Sequence, residues 1–245
     1  MTQTAFEAVP ASAKSPLLLL CDHASNALPP GFGTLGLDPA LFATHIAYDI
    51  GAAQVTRALA AAYGAPALLG GWSRLLIDLN RGAEDPTLVM KLSDGSIIPG
   101  NRNADAAEVS RRIAQFHAPY HAAIRDELDR IGPGAVIVSM HSFTPSWKSV
   151  PRIWDVGVLY DRDTRLSSPL MARLDEAGFT VGDNEPYTGA LEGDTLYTHG
   201  TLGDLPHVLI EMRQDLIVDD AGAEAFALRL KPILDAALLD MHSRA

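Results

Sequence analysis

Three residues with the chemistry of a metal site stand directly after short apolar runs: His23 after "LLLLCD", His141 after "GAVIVSM" and Glu211 after "HVLI". A run of this kind reads as a buried parallel strand, and in open α/β sheets ligands bind at the carboxyl ends of such strands. One sheet edge therefore gathers all three, although more than a hundred positions separate the first from the last. Each taken singly is equally well a polar side chain hydrogen-bonded at a strand end. Together, two imidazoles and a carboxylate are the donors that zinc prefers in catalytic sites, where three protein groups leave a fourth position for water. His23 and His141 supply two donors. The third is Asp49 in "HIAYDIGA", at the start of the next helical stretch, where a carboxylate also suits the helix dipole or an N-cap. Asn26, in an H-x-x-N spacing, is the alternative. His45, four residues before Asp49, is a contact for these groups or for substrate.

Arginines and an amide gather near other strand ends. "SRLLIDLNR" holds Arg74, Asp78, Asn80 and Arg81, while "VPRIWD" and "EMRQD" add Arg152 and Arg213. Forked hydrogen bonds from guanidinium to carboxylate suit a small anionic substrate; pairing of Arg74 or Arg81 with Asp78 is the structural alternative. Arg81, at the end of its run, is the best placed to face a ligand. Tyr187 in "DNEPYTG" and His199 in "YTHG" belong to a glycine-rich stretch able to close over such a site. A serine nucleophile at Ser142 or Ser25 lacks the G-x-S-x-G elbow.

The elements that position these groups alternate. "LLLLC", "APALLG", "SRLLIDLN", "GAVIVSMHSF", "WDVGVLYD" and "HVLIEMRQDL" read as strands, and "PTLVMKLSDGSIIPGNRN" as a hairpin-like excursion turning at Asp94-Gly95. Helices are expected from Ile50 to Gly64, over "SSPLMARLDEAG" and from "AGAEAFALRL" to the end. A further one spans "ADAAEVSRRIAQFHAPYHAAIRDELDRIG", with apolar residues at spacings of three and four and Pro119 placed to kink or divide it. No linker or repeat divides the chain. The expectation is a flexible segment over residues 1–15 and a single α/β domain over 16–245, with helices on both faces of a mixed, mostly parallel sheet.

Composition narrows the partners. Of 245 residues, 30 are Asp or Glu against 19 Lys or Arg, for a net charge of -11, with no basic block to follow a phosphate backbone. The reading is therefore a small-molecule substrate, with neither nucleic acid nor membrane as partner and a homo-oligomer left open. A single cysteine and an N-terminus without a signal-peptide layout suit the cytoplasm.

Taken in order, "CDHASN", "HIAYDIGA", "SRLLIDLNR", "APYHAAI", "SMHSFTP", "DNEPY" and "IEMRQDL" closely resemble the N-formylglutamate amidohydrolase family, over about residues 16 to 240. The resemblance implies a fold like the zinc carboxypeptidases and succinylglutamate desuccinylase, of phosphorylase/hydrolase type. It implies one zinc per chain on His23, Asp49 and His141, with Glu211 as base; Arg213, on the same strand end, is grouped with Glu211 as catalytic and, like Arg81 and Arg152, is able to hold a substrate carboxylate. The expected reaction is cleavage of the amide of a small N-acyl, N-formyl-type acidic amino acid by zinc-activated water. Substrate contacts are then expected from Arg81, Asn80, Arg74, Arg152, Asn26, His45, Tyr187 and His199. The first motif departs from the family's proline-histidine-serine-glycine form, which marks a divergent branch. A non-catalytic small-anion-binding protein that keeps the fold is the alternative.

Overall fold

The computed structural model describes residues 4–243. The strands are β1 (Phe6–Val9), β2 (Leu17–Cys21), β3 (Ala67–Gly70), β4 (Leu92–Ser93), β5 (Ser96–Ile97), β6 (Val136–Phe143), β7 (Ser146–Trp147), β8 (Val150–Pro151), β9 (Val156–Leu159), β10 (Val181–Asp183) and β11 (His207–Arg213). The helices are α1 (Ala52–Tyr63), α2 (Pro99–Arg102), α3 (Ala106–Arg112), α4 (Ala118–Ile131), α5 (Ser167–Glu176) and α6 (Asp220–Ser243).

Seven strands form one sheet in the order β1-β3-β2-β6-β11-β9-β10. The central β3, β2, β6 and β11 are parallel, β1 and β9 pair antiparallel to their neighbours β3 and β11, and β10 runs parallel to β9. The fold is thus the expected α/β domain with a mixed, mostly parallel sheet. Side chains alternate along each strand. Leu17, Leu19, Val136, Val138, Val208 and Ile210 pack with Leu59 of α1, Leu170 of α5 and Leu230 of α6 on one face. Leu18, Leu20, Ile137 and Leu209 pack with Tyr120 and Ile124 of α4 on the other. Burial on both faces is why these strands read as continuous apolar runs. It also sets the site: two residues beyond Leu20, Ser139 and Leu209 on the α4 face come Asp22, His141 and Glu211.

Two expectations change. The segment expected to be flexible contains β1, which pairs with β3 from Phe6 against Gly70 to Val9 against Ala67. As a half-exposed edge strand it buries too little to show as an apolar run. "SRLLIDLN" is a chain of turns, not a strand. Its Leu75, Leu76, Ile77 and Leu79 are buried in three different clusters, so the apolar pattern records a loop folded over the sheet. Its backbone groups are satisfied outside any ladder: Asp78 N–H donates to Leu88 O (2.8 Å), Asn101 to Leu75 O (2.7 Å), Arg112 to Leu76 O (2.8 Å) and His121 to Leu79 O (3.0 Å). The long central helix is divided, one of the two outcomes expected from Pro119. A π-helical turn over Ile113–His117 separates α3 from α4, and Pro119 sits in the first turn of α4, where its missing N–H costs least. The small hairpin does turn at Asp94-Gly95, both at positive φ.

Candidate active site

β2 delivers His23 and the neighbouring β6 delivers His141, both buried, with ring centroids 4.9 Å apart and nearly perpendicular. Asp49 comes from the turn ahead of α1, tied down by its N–H to the His23 carbonyl at 2.9 Å. Its Oδ2 lies 3.3 Å from His23 Nδ1 and 2.8 Å from His141 Nδ1. One donor atom from each of the three lies within 4.8 Å of the others. The far ring nitrogens are held as well. His23 Nε2 is 2.7 Å from Asp78 Oδ1, and His141 Nε2 is 3.3 Å from Asp22 Oδ2. Asp22 in turn accepts from Tyr120 Oη (2.8 Å) and Thr195 Oγ1 (3.2 Å).

These carboxylates keep their charge in a buried setting. For Asp49, burial opposes ionisation but His23 and His141 outweigh it and hold the carboxyl far below the usual range. For Asp78, burial is likewise overcome by His23 and Arg74. His141 is the reverse case: burial disfavours its charge, yet Asp22 and Asp49 push its pKa well above the usual value. A cation is therefore favoured between these groups.

Glu211 pairs in register with His141 across the parallel β6–β11 ladder. It is buried, and its Oε2 has no hydrogen-bond partner among the described residues. Burial, helped by Asp49 and opposed by His141, pushes its pKa up to about 7. A carboxyl group poised there can both accept and return a proton near neutral pH.

Two Nδ1 atoms and a carboxylate oxygen converging at one point form a nitrogen-and-oxygen donor set suited to zinc. Asp78 and Asp22 on the opposite ring nitrogens orient those donors as outer partners do in metal centres. The orphan Glu211 oxygen beside them completes the fit.

The site opens into a cleft of about 430 Å³, lined by His23, Asp49, His141 and Glu211 together with His45, Arg74, Asn80, Arg81, Tyr187 and Asp194 among others. Arg74 bridges Asp49 and Asp78, at 3.2 Å each, so it braces the centre while lining the cleft. Asn80 accepts from Thr195 N–H at 3.1 Å. Arg81 donates to the Asn80 carbonyl at 2.8 Å and has no ion pair among the described residues. His45 faces Asp94 at 3.2 Å. Arg152 stands behind Tyr187, donating to its hydroxyl at 3.1 Å with the guanidinium over the ring.

Other expected residues lie elsewhere. Asn26 donates to the Phe42 carbonyl at 2.8 Å and is outside the donor cluster. Arg213 is turned away from Glu211, bound to Asp215 (2.7 Å), Asp155 (3.2 Å) and the Trp154 carbonyl (3.1 Å). It is not among the residues that line the cleft, its guanidinium being held by those partners. His199 is buried behind the cleft, 2.8 Å from His121 Nδ1, with its pKa lowered by burial to about 4. Ser142 Oγ donates to the Ile50 carbonyl at 2.8 Å, and Ser25 Oγ accepts from Ala27 N–H, so neither is paired with a base. Asp22, Asp78 in its contact with His23, and Asp194 are the parts that sequence reasoning missed. For Asp22 the signal was present, since it shares the strand end with His23.

Comparison with solved structures finds a gene product of Agrobacterium tumefaciens at 34% identity and a TM-score of 0.93, covering 98% of this chain and 96% of that one. The N-formylglutamate amidohydrolase from Ralstonia eutropha JMP134 aligns at 22% identity and a TM-score of 0.68, covering 97% of each chain, and a bacteriophage poly-gamma-glutamate hydrolase at 10% and 0.52, covering 99% and 92%. The last two speak for the fold alone. Comparison with curated proteins yields no match. The model of the N-formylglutamate amidohydrolase family matches residues 15–218. With most of its length accounted for, cleft and donor cluster included, the chain belongs to the N-formylglutamate amidohydrolase family and so to the hydrolases of non-peptide amide C–N bonds.

Proposed function

We propose that the protein is a metal-dependent amidohydrolase that cleaves the amide of a small N-acyl, N-formyl-type acidic amino acid. The observation that carries this reading is the convergence of His23 Nδ1, His141 Nδ1 and the Asp49 carboxylate beside the unpartnered Oε2 of Glu211. His23, Asp49 and His141 would hold one zinc ion, which when bound polarises a carbonyl and lowers the pKa of water to near neutrality. Glu211 Oε2 takes a proton from the attacking water and returns it to the departing nitrogen. Arg81, whose guanidinium makes one bond to the Asn80 carbonyl and no ion pair among the described residues, binds a carboxylate of the substrate and so fixes the amide near Glu211. Arg74 keeps Asp49 and Asp78 ionised and in place. Asp78 and Asp22 hold the two imidazole rings in their orientation.

The test joins metal analysis with turnover of N-formyl and N-acetyl amino acids by zinc-loaded protein. About one zinc per chain, lost in His141→Ala, together with hydrolysis supports the reading. Absence of hydrolysis at full zinc loading removes it in favour of a small-anion-binding protein. Among the described residues no helix is long and apolar enough to cross a membrane.

A further inference from the structure

Asp194 plays no part in the reading above, yet it lines the cleft and is only 5% exposed. One of its oxygens accepts the Tyr197 N–H at 2.6 Å, at the start of the π-helical turn Tyr197–Thr201. That capping duty accounts for Oδ1 and needs no charge, since a serine hydroxyl or an asparagine would serve. Oδ2 has no hydrogen bond within the protein among the described residues. It is not among the sealed, unpartnered atoms and so opens to the cleft, while burial of the group raises the Asp194 pKa to about 6.

Its neighbour is Arg81. Loops 78–82 and 193–196 are fastened together: Thr195 N–H donates to Asn80 Oδ1 at 3.1 Å and Thr195 Oγ1 to the Leu79 carbonyl at 3.2 Å. At Gly82 and Gly193 the backbones touch, so that a Cβ built on Gly82 would lie 3.2 Å from the Gly193 carbonyl oxygen. Arg81 and Asp194 therefore rise from adjoining backbone on one wall of the cleft. They carry opposite charges, and neither makes an ion pair among the described residues. Two opposite charges held side by side without closing on each other suit a ligand that carries their complements on neighbouring atoms.

We propose that Arg81 and Asp194 form a clamp for the carboxylate of an α-amino acid and the nitrogen on the same carbon, with Asp194 accepting that nitrogen's N–H. The identification of this nitrogen as the one released by hydrolysis rests on the amidohydrolase reading; the clamp itself does not. Asp194 thereby selects secondary amides, whose nitrogen carries a hydrogen, and holds the amine that results. A substrate with a carboxylate but no adjacent N–H leaves Asp194 desolvated and unpaired, which is the strongest form of discrimination available to a polar site.

The test is calorimetric titration of the zinc-loaded full chain with two probes, L-glutamate and glutarate, which share a carbon skeleton and differ at the α-nitrogen. Glutamate is expected to bind about tenfold or more tighter, in line with a hydrogen bond to a charged group. Asp194→Ser, which keeps a hydroxyl to cap Tyr197, should bring the two affinities together, whereas Arg81→Ala should weaken both. Equal affinities in the wild type, or a preference that survives Asp194→Ser, overturn the clamp. A chain that hydrolyses no N-acyl amino acid but keeps the preference supports the clamp and overturns the amidohydrolase reading. If Asp194→Ser proves unstable, N-formyl-L-glutamate and its N-methyl analogue serve as binding probes on zinc-loaded Glu211→Gln, which does not turn them over, and equal affinity for these two overturns the proposal.

Discussion

At the scale of single residues, the centre separates atoms that hold from atoms that react. Among the described residues Glu211 is the one member of the cluster with a buried oxygen left unbonded, so its substitution should touch turnover before anything else. Glu211→Gln keeps the size and removes the base; kcat should fall by roughly 10²–10⁴ with zinc content and melting temperature nearly unchanged. Since Arg213 is bound to Asp155 and Asp215, the loss of the Glu211 charge should leave it undisturbed. Near-normal turnover at full zinc loading would take Glu211 out of the mechanism. Asp78 acts differently, because it holds the far nitrogen of His23 at 2.7 Å and touches no donor atom. Asp78→Asn should weaken zinc affinity by about 10–100-fold, read by competition with a chelator, while turnover at saturating zinc suffers much less.

At the scale of elements, the loop over residues 78–82 is held from behind by α4 and by the π-helical turn before it. His117 Nε2 reaches the Arg81 carbonyl at 2.9 Å, His121 Nε2 the Leu79 carbonyl at 3.0 Å, and His199 buttresses His121. These imidazoles work as neutral groups, and burial lowers the pKa of His199 to about 4 and of His121 to about 3. Their folded values lie below the unfolded value near 6.5, so on acidification the unfolded chain takes up protons that the native chain refuses. Stability should therefore fall as the pH drops from about 6.5 toward 4. In His199→Gln, which keeps a donor and an acceptor but does not titrate, part of that slope should vanish. Urea melts of both proteins at pH 7, 6 and 5 check this, and parallel curves would mean that His199 is protonated in the native state. Two π-helical turns, one ending at His117 and one containing His199, thus serve to bring imidazoles under a loop.

At the scale of the whole molecule, the charges of the centre come from chain segments that meet only in the native state, so metal binding is linked to folding. Zinc at about 100 times its dissociation constant should add roughly 2.7 kcal/mol of stability. For a chain of this size that corresponds to a rise in Tm of about 5–10 °C. Differential scanning calorimetry with zinc and with a chelator measures it. The His23→Ala, His141→Ala double variant should show no zinc-dependent rise, and a rise of wild-type size there would place the metal elsewhere.

What could be read from the amino-acid order alone was what depends on short-range pattern. The apolar runs of β2, β6 and β11 show because both faces of these strands are buried, and the ends of these runs place His23, His141 and Glu211 at one sheet edge. The alternation of strands and helices made the α/β class legible for the same reason. Tertiary structure alone decided which partners those residues meet. Asp49 was legible as the third donor, but Asp22 and Asp78 meet the rings from a strand end and from a loop without regular structure, and no period in the sequence marks where such a loop will lie. The same loop misread as a strand, because leucines buried in separate clusters imitate alternation. Arg213 illustrates the opposite case: two residues from Glu211 along one strand, it was expected beside the catalytic carboxylate, yet where the strand ends Asp155 and Asp215 draw its guanidinium away. The apolar pattern of a chain records how deeply a residue is buried, and only the packed fold selects which charge lies opposite.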